Sequence, residues 1–229
     1  MRWASEERYS RNSPAISGEE QQKLADSNVL LAGCGGIGGY TLELLARIGV
    51  GHITVVDKGR FQGTDLNRQL LSNMNVLESD KVAVAKDRVE MVNPLVSVTP
   101  LQTHLDSANS VSLVSGFGCV ADALDNLDSR STLARACGEA GVPLVHAAIC
   151  GWGGRWCDIF PGDKLVDFLY QPVEYVQPTG MFGCTAPAAA CAASLQAAEV
   201  VKILLGKPVA HNVLHEFNLM DGTTREYRV

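Results

Sequence analysis

The stretch Asn28-Val29-Leu30-Leu31-Ala32-Gly33-Cys34-Gly35-Gly36-Ile37-Gly38 decides the fold. Its first five residues are an apolar run of strand length, its last six match G-x-G-x-x-G, and Tyr40 to Ile48 carries apolar residues at helical spacing. The order is strand, tight turn, helix. Gly51 to Val56 reads as a second strand, and Asp57 ends it 19 residues beyond Gly38. Glycines at Gly33, Gly35, Gly36 and Gly38 permit the turn and a close backbone approach to phosphate. The helix start offers free N–H groups, and a carboxylate at the place of Asp57 accepts from ribose hydroxyls. A nucleotide-binding βαβ unit follows.

The same alternation continues outward. Ser17-Gly18-Glu19-Glu20 has capping-box spacing and predicts a helix to about Asp26. Lys81 to Val92 places Val82, Ala85, Val89 and Val92 on one helical face. Strands are expected near Val96 to Leu101, Gly118 to Ala121 and Pro143 to Ala148, with a helix near Ser129 to Ala140. Strands alternating with helices imply right-handed crossovers and a mostly parallel sheet. After Gly151 the pattern changes. Arg155 to Phe160 is strand-like, Gln171 to Gly183 is a loop bearing Pro and Gly, Ala188 to Leu205 is a long Ala-rich helix, and two strands close the sequence. The expected fold is α/β, a Rossmann-like, mostly parallel sheet flanked by helices with antiparallel C-terminal strands. One domain over 1–229 is expected, entered by a helical arm over about 1–27.

Composition narrows the function classes. With 46% hydrophobic and 19% charged residues, the 229-residue chain has enough apolar material for a sizeable core. A net charge of -6 gives no global attraction to nucleic acid or anionic membrane, so neither is an expected partner. The N-terminus opens with charge, and no apolar run is expected to reach the ~20 residues that span a bilayer. The cytoplasm is the expected location. Seven cysteines, with no C-x-x-C, read as reduced thiols and exclude a four-cysteine zinc site built from two such pairs.

Which nucleotide binds is decided downstream of Asp57. Asp65-Leu66-Asn67-Arg68-Gln69 is followed by Lys81, and a later strand ends in Asp122-Ala123-Leu124-Asp125-Asn126. Arginine and lysine are donors suited to a triphosphate, and an aspartate after a strand can hold magnesium on the same phosphates. Hydride transfer with NAD needs none of this set. Each residue also has a plain structural role: Arg68 or Lys81 as a solvated charge, Asp125 as a helix N-cap. Their joint order favours ATP.

These residues resemble the ThiF/MoeB/HesA group, which is related to the adenylation domains of ubiquitin-activating enzymes. Four segments carry the likeness: Arg8-Tyr9-Ser10-Arg11, the Gly33 to Gly38 loop with Asp57, Leu66-Asn67-Arg68-Gln69 with Lys81, and Asp122-x-x-Asp125-Asn126. The resemblance implies that Asp57 binds ribose, that Arg68 and Lys81 contact the phosphates, that Asn67, Gln69, Asp122 and Asn126 belong to the nucleotide-binding segments, and that Asp125 organises Mg2+. It also implies that Arg11 crosses a homodimer into the other subunit's ATP site. Pro143-Leu144-Val145 leading to Gly151-Trp152-Gly153-Gly154 also fits the family, as does Gly183-Cys184-Thr185-Ala186-Pro187 leading into the last helix.

The chain departs from the family pattern in four respects. It lacks the two C-x-x-C pairs with which many relatives hold zinc, so no zinc is expected. Thr179, Gly180, Met181 and Phe182 stand where sulfur-transferring relatives carry a cysteine, leaving Cys184, at a helix start whose dipole could lower its pKa, as the weak thiol candidate. Gly59 and Asp65 replace a usual acid and a usual asparagine.

The implied reaction is ATP-dependent adenylation of the C-terminal glycine carboxylate of a small ubiquitin-like sulfur carrier ending in Gly-Gly, with loss of pyrophosphate, in thiamine or molybdopterin biosynthesis or related sulfur transfer. The Gln171 to Gly183 loop is the expected gate for the carrier's tail. Rival readings are activation of a tRNA or small-molecule carboxyl, an NAD-dependent oxidoreductase, and an ATP-binding scaffold without catalysis. Calorimetric titration is expected to give MgATP binding with little affinity for NAD, and tighter binding of NAD would reverse the assignment.

Overall fold

The computed structural model describes residues 7–170 and 183–229. Among them, eight strands form one sheet: β1 Asn28–Ala32, β2 His52–Val56, β3 Ser97–Leu101, β4 Cys119–Asp122, β5 Leu144–Cys150, β6 Gly153–Ile159, β7 Val213–Asn218 and β8 Thr223–Arg228. Their order is β3-β2-β1-β4-β5-β6-β7-β8. Pairing is parallel from β3 to β5 and antiparallel from β5 to β8. The helices are α1 Gly18–Ala25, α2 Gly36–Ile48, α3 Lys81–Val92, α4 Ser110–Val114, α5 Leu127–Ala140, α6 Leu165–Tyr170 and α7 Ala186–Leu205.

Side-chain alternation along the central strands builds two cores. Val29 and Leu31 of β1 face one layer with Leu42, Leu45, Val89 and Val200, whereas Leu30 and Ala32 face the other with Leu133, Cys137 and Leu144. Central strands covered on both faces are apolar along most of their length, as parallel sheets favour, with Asp122 of β4 and His146 of β5 as buried exceptions. Strand order reverses direction between β1 and β4, and in open α/β sheets the ligand crevice lies at such a switch point, outside the strands' carboxyl ends.

The capping box forms: the Glu20 amide donates to Ser17 Oγ at 3.2 Å and the Ser17 amide to Glu20 Oε2 at 2.8 Å. Residues 7–15 ahead of it run as consecutive turns, so among the described residues of the entry the helix covers Gly18–Ala25 alone. This arm packs at the far end of α2. Asn93 Nδ2 donates to the Tyr9 hydroxyl at 2.8 Å, and Tyr9 lies over Gly49, the C-cap of α2. The expected gate loop, apart from Gly183, lies outside the described residues.

On bilayer length the structure differs from the expectation. Helix α7, 20 residues long with hydropathy 1.5, is long and apolar enough by length and composition to cross a membrane, although 44% of its most apolar window is buried in the fold. It runs along α2 and covers β4, β5 and β6, which accounts for its Ala-rich face.

One buried acid sits outside the crevice. Asp158 of β6, 3% exposed, faces Glu199 of α7, and burial together with that second carboxylate pushes its pKa up to about 8, against the pull of Lys202. A carboxyl with a folded pKa above its unfolded value of about 4 stabilises the fold only while it holds its proton. Its cost therefore grows as pH rises from about 4 toward 8. Asp158→Asn is expected to raise Tm at pH 8 by roughly 2–4 °C, about 1 kcal/mol, with the gain shrinking toward pH 4. Equal gains across that range in thermal melts would contradict this account of the pair.

Candidate active site

At the crevice, strand β1 passes into α2 through the glycine turn. Gly33 has φ +98, and a Cβ there would lie 2.6 Å from the Ala123 carbonyl oxygen; one on Gly38 would lie 1.9 Å from the Gly33 carbonyl. Side chains are excluded, and the two walls of the switch point close on each other. The N-cap of α2 is Gly35, with no side-chain cap and no acid in the first turn. The first-turn amides are thus left for an anion, with the helix dipole favouring negative charge. Gly35 and Gly36 border this space, with Gln69 beside the first and Arg68 beside the second.

Asp57 is aimed by backbone. Its Oδ2 accepts from the Cys34 amide and its Oδ1 from the Gly59 amide, both at 2.7 Å. Each oxygen keeps lone-pair capacity for a ribose hydroxyl. The departure at Gly59 has a physical consequence here: a Cβ would stand 3.1 Å from Asp57 Oδ1 and 3.6 Å from Lys81 Cε, so a larger residue would crowd both.

The cations converge on the other departure, Asp65. This carboxylate, 7% exposed, lies 3.6 Å from Lys81 Nζ and 3.9 Å from an Arg68 nitrogen, and Gln69 Nε2 donates to it at 2.5 Å. The sequence motif placed Asp65 beside these groups without revealing that it gathers them. Arg68 also donates to the Thr64 carbonyl and to Asn67 Oδ1, each at 2.9 Å. Asn67 Nδ2 reaches the Cys184 carbonyl at 3.4 Å, joining this segment to the entry of α7. A polyphosphate seated on the glycine turn would meet two cations already oriented, and the donor set fits it.

The Asp122 to Asn126 segment divides its labour differently from expectation. Asp122, assigned above to the nucleotide region, is 0% exposed and paired inward with Arg130 at 3.2 Å and His146 at 2.7 Å. The β4/β5 register sets Asp122 beside His146, on the face covered by α5, so its carboxylate supports the turn from beneath. Arg130 leads in holding Asp122 below the usual carboxylate range against burial, while burial lowers His146 to about 4. Asn126, not Asp125, caps α5, accepting from the Ser129 amide at 2.9 Å. Asp125 is left exposed at the turn, with Asn126 Nδ2 at 3.3 Å. An exposed hard oxygen donor beside a phosphate seat suits magnesium, which takes one or two carboxylates and completes its shell with phosphate and water. Among the described residues no group of three or more His, Cys, Asp or Glu side chains could hold a metal ion by itself.

Two further residues stand apart. Arg11 is exposed on the arm, two residues beyond Tyr9, which lies over Gly49 at the end of α2. Cys184 is half-buried, and burial raises its pKa despite nearby Arg68, which corrects the expectation that the helix start lowers it. The helix start is capped instead by Thr185, which accepts from the Ala188 amide at 3.3 Å.

Comparison with known proteins agrees with this geometry. The ThiF family profile matches residues 9–229. Among similar proteins, the sulfur carrier protein adenylyltransferase of Thermus thermophilus is 33% identical over 93% of this chain and 84% of its own. The ThiS adenylyltransferase of Escherichia coli is 30% identical over 96% and 89%, and the SAMP-activating enzyme E1 of Haloferax volcanii is 32% identical over 87% and 76%. Among solved structures, Escherichia coli MccB with ATP superposes with a TM-score of 0.81 at 22% identity, over 98% of this chain and 71% of that one, a likeness of fold. The chain belongs to the ThiF family and is an adenylyltransferase.

Proposed function

We propose that the chain adenylates the C-terminal glycine carboxylate of a small ubiquitin-like sulfur carrier ending in Gly-Gly. The observation that carries this is the convergence, on one crevice, of an uncapped helix start, Asp57, the paired cations Arg68 and Lys81, and an exposed Asp125. The carrier's carboxylate attacks the α-phosphorus of ATP, the bond to the β-phosphate's bridging oxygen breaks, and pyrophosphate leaves. A carboxylate is already charged and needs no base, so positioning and charge neutralisation are what the protein must supply. Asp57 holds the ribose, the first turn of α2 receives phosphate, and Arg68 and Lys81 neutralise the developing charge. Asp125 would hold Mg2+, which offsets phosphate charge when bound. Names of relatives that act on sulfur carriers support the choice of acceptor.

The active unit in this reading is a homodimer. Helix α2 has 13 residues, about 20 Å at 1.5 Å each, so Arg11 at its far end lies well beyond one side chain's reach of its own glycine turn. A second copy related by a two-fold axis can supply it. An open groove of about 460 Å³ between the arm, α2 and α7, lined by Leu44, Ile48, Ala197 and Val201 together with Asn12, Arg47 and Ser194, supports that face as the contact. All seven cysteines are unpaired, which supports the cytoplasm.

Two measurements test this reading. Asp125→Ala is expected to lower carrier-dependent ATP-pyrophosphate exchange by roughly 10²- to 10³-fold, and Cys184→Ala to leave it nearly unchanged. Survival of exchange within about twofold in the first variant, or its loss in a folded second variant, would sink the assignment. Equal mixing of the separately inactive Arg11→Ala and Asp125→Ala proteins is expected to restore about a quarter of wild-type activity, because half the dimers are mixed and each has one intact site. No restoration after subunit exchange would place Arg11 outside the partner's site.

A further inference from the structure

The turn that carries Asp125 is gripped from both faces of the sheet. On the α5 side, one terminal nitrogen of Arg130 donates to Asp122 Oδ2 at 3.2 Å and to the Ala147 carbonyl at 2.9 Å, and the other donates to the Leu124 carbonyl. Asp122 Oδ1 in turn accepts from the Leu124 amide at 3.0 Å. On the α7 side, Gln196 Nε2 donates to the Asp122 and Val145 carbonyls at 2.8 and 2.9 Å, and its Oε1 accepts from Thr41 of α2 at 2.8 Å. Asp122 and Gln196 are 0% exposed and Arg130 8%, so most of these bonds are made away from water, those to Leu124 being part-buried.

We propose that Arg130 and Gln196 form a two-sided clamp on the turn after β4, and that Arg130 is the positioning residue that sets the aim of Asp125. This rests on the reading of Asp125 as the magnesium carboxylate. Arg130 fixes both Asp122 and Leu124, and the side-chain cap fixes Asn126, so Asp125 is confined between two anchored neighbours. Two separate terminal nitrogens on one rigid plane reach the carboxylate and both carbonyls at once; a lysine ammonium at this place keeps the charge beside Asp122 but has a single nitrogen and cannot reproduce the fork. The bond from Gln196 to Thr41 carries the same constraint into α2. The phosphate seat and the metal carboxylate are thereby referred to one buried network, so neither moves independently of the other.

Arg130→Lys retains the charge that Asp122 needs, and Gln196→Met opens the clamp from the opposite face without any charge change. Two readouts apply: amide hydrogen exchange over residues 122–126 in the nucleotide-free protein, and the magnesium concentration for half-maximal ATP-pyrophosphate exchange, set against KM for ATP at saturating magnesium. Arg130→Lys is expected to speed amide exchange in the turn while β1 and β2 keep their protection. It is expected to raise the magnesium requirement roughly 10- to 100-fold, the scale of losses from disturbing groups that orient a metal ligand, and to leave KM for ATP within about twofold. Added to Asp125→Ala it is expected to cost no further activity, since both act through one carboxylate. Wild-type amide exchange over 122–126 in both clamp variants, or a fully additive loss in the double variant, would overturn the proposal. An unaltered magnesium requirement in Asp125→Ala alone would instead overturn the metal reading, with amide exchange still deciding the clamp.

Discussion

Everything in the crevice depends on a backbone contact that no side chain could share: the approach of α2 to the end of β1 at Gly38 and of that turn to β4 at Gly33. A methyl group on Gly38 would lie 1.9 Å from the Gly33 carbonyl oxygen. The helix therefore starts directly on the sheet, with its free amides facing the point where strand order reverses. The opposite wall of that point is the turn after β4, and its Ala123 carbonyl is what Gly33 packs against. Phosphate seat and acidic turn are thus placed face to face by main chain alone, before any charged side chain is considered.

The charges are arranged to suit a reaction whose difficulty is electrostatic. Lys81 and Arg68 share Asp65 at separations of 3.6 and 3.9 Å, longer than a well-formed charge-assisted hydrogen bond. They are held in place but not fully satisfied, and an incoming phosphate can take up the remaining capacity. Burial pushes the thiols of Cys34, Cys119, Cys137, Cys157, Cys184 and Cys191 upward, so these six are held protonated at neutral pH. In the proposed reaction this geometry serves to orient an already ionised acceptor.

Much of this could be read from residue order. The strand, glycine turn and helix around Gly33, the helix from Lys81 to Val92 and the antiparallel end of the sheet were legible because periodicity is strong there and glycine has few other uses at such a turn. Short elements were not: α4 has 5 residues and α6 has 6, too few to establish a period. The role of Asp122 was hidden for a different reason. Motif spacing places an acid at a strand end, but only the β4/β5 register and the arrival of Arg130 from α5 turn its carboxylate inward. Likewise the cap on α5 fell to Asn126, because the helix begins one residue later than a cap at Asp125 requires. Membrane-spanning length in α7 was missed because Gln196, Glu199 and Lys202 interrupt its apolar run, although Ala-rich neighbours keep its mean hydropathy high.

The central claim is that a terminal protein carboxylate is the acceptor. Its most direct measurement is ATP-pyrophosphate exchange with two forms of one small ubiquitin-like carrier, identical except that the Gly-Gly end is a free acid in the first and an amide in the second. The account predicts exchange with the acid and none above background with the amide. Equal exchange with both, or exchange with neither while a tRNA or a small carboxylic acid supports it, would contradict the account.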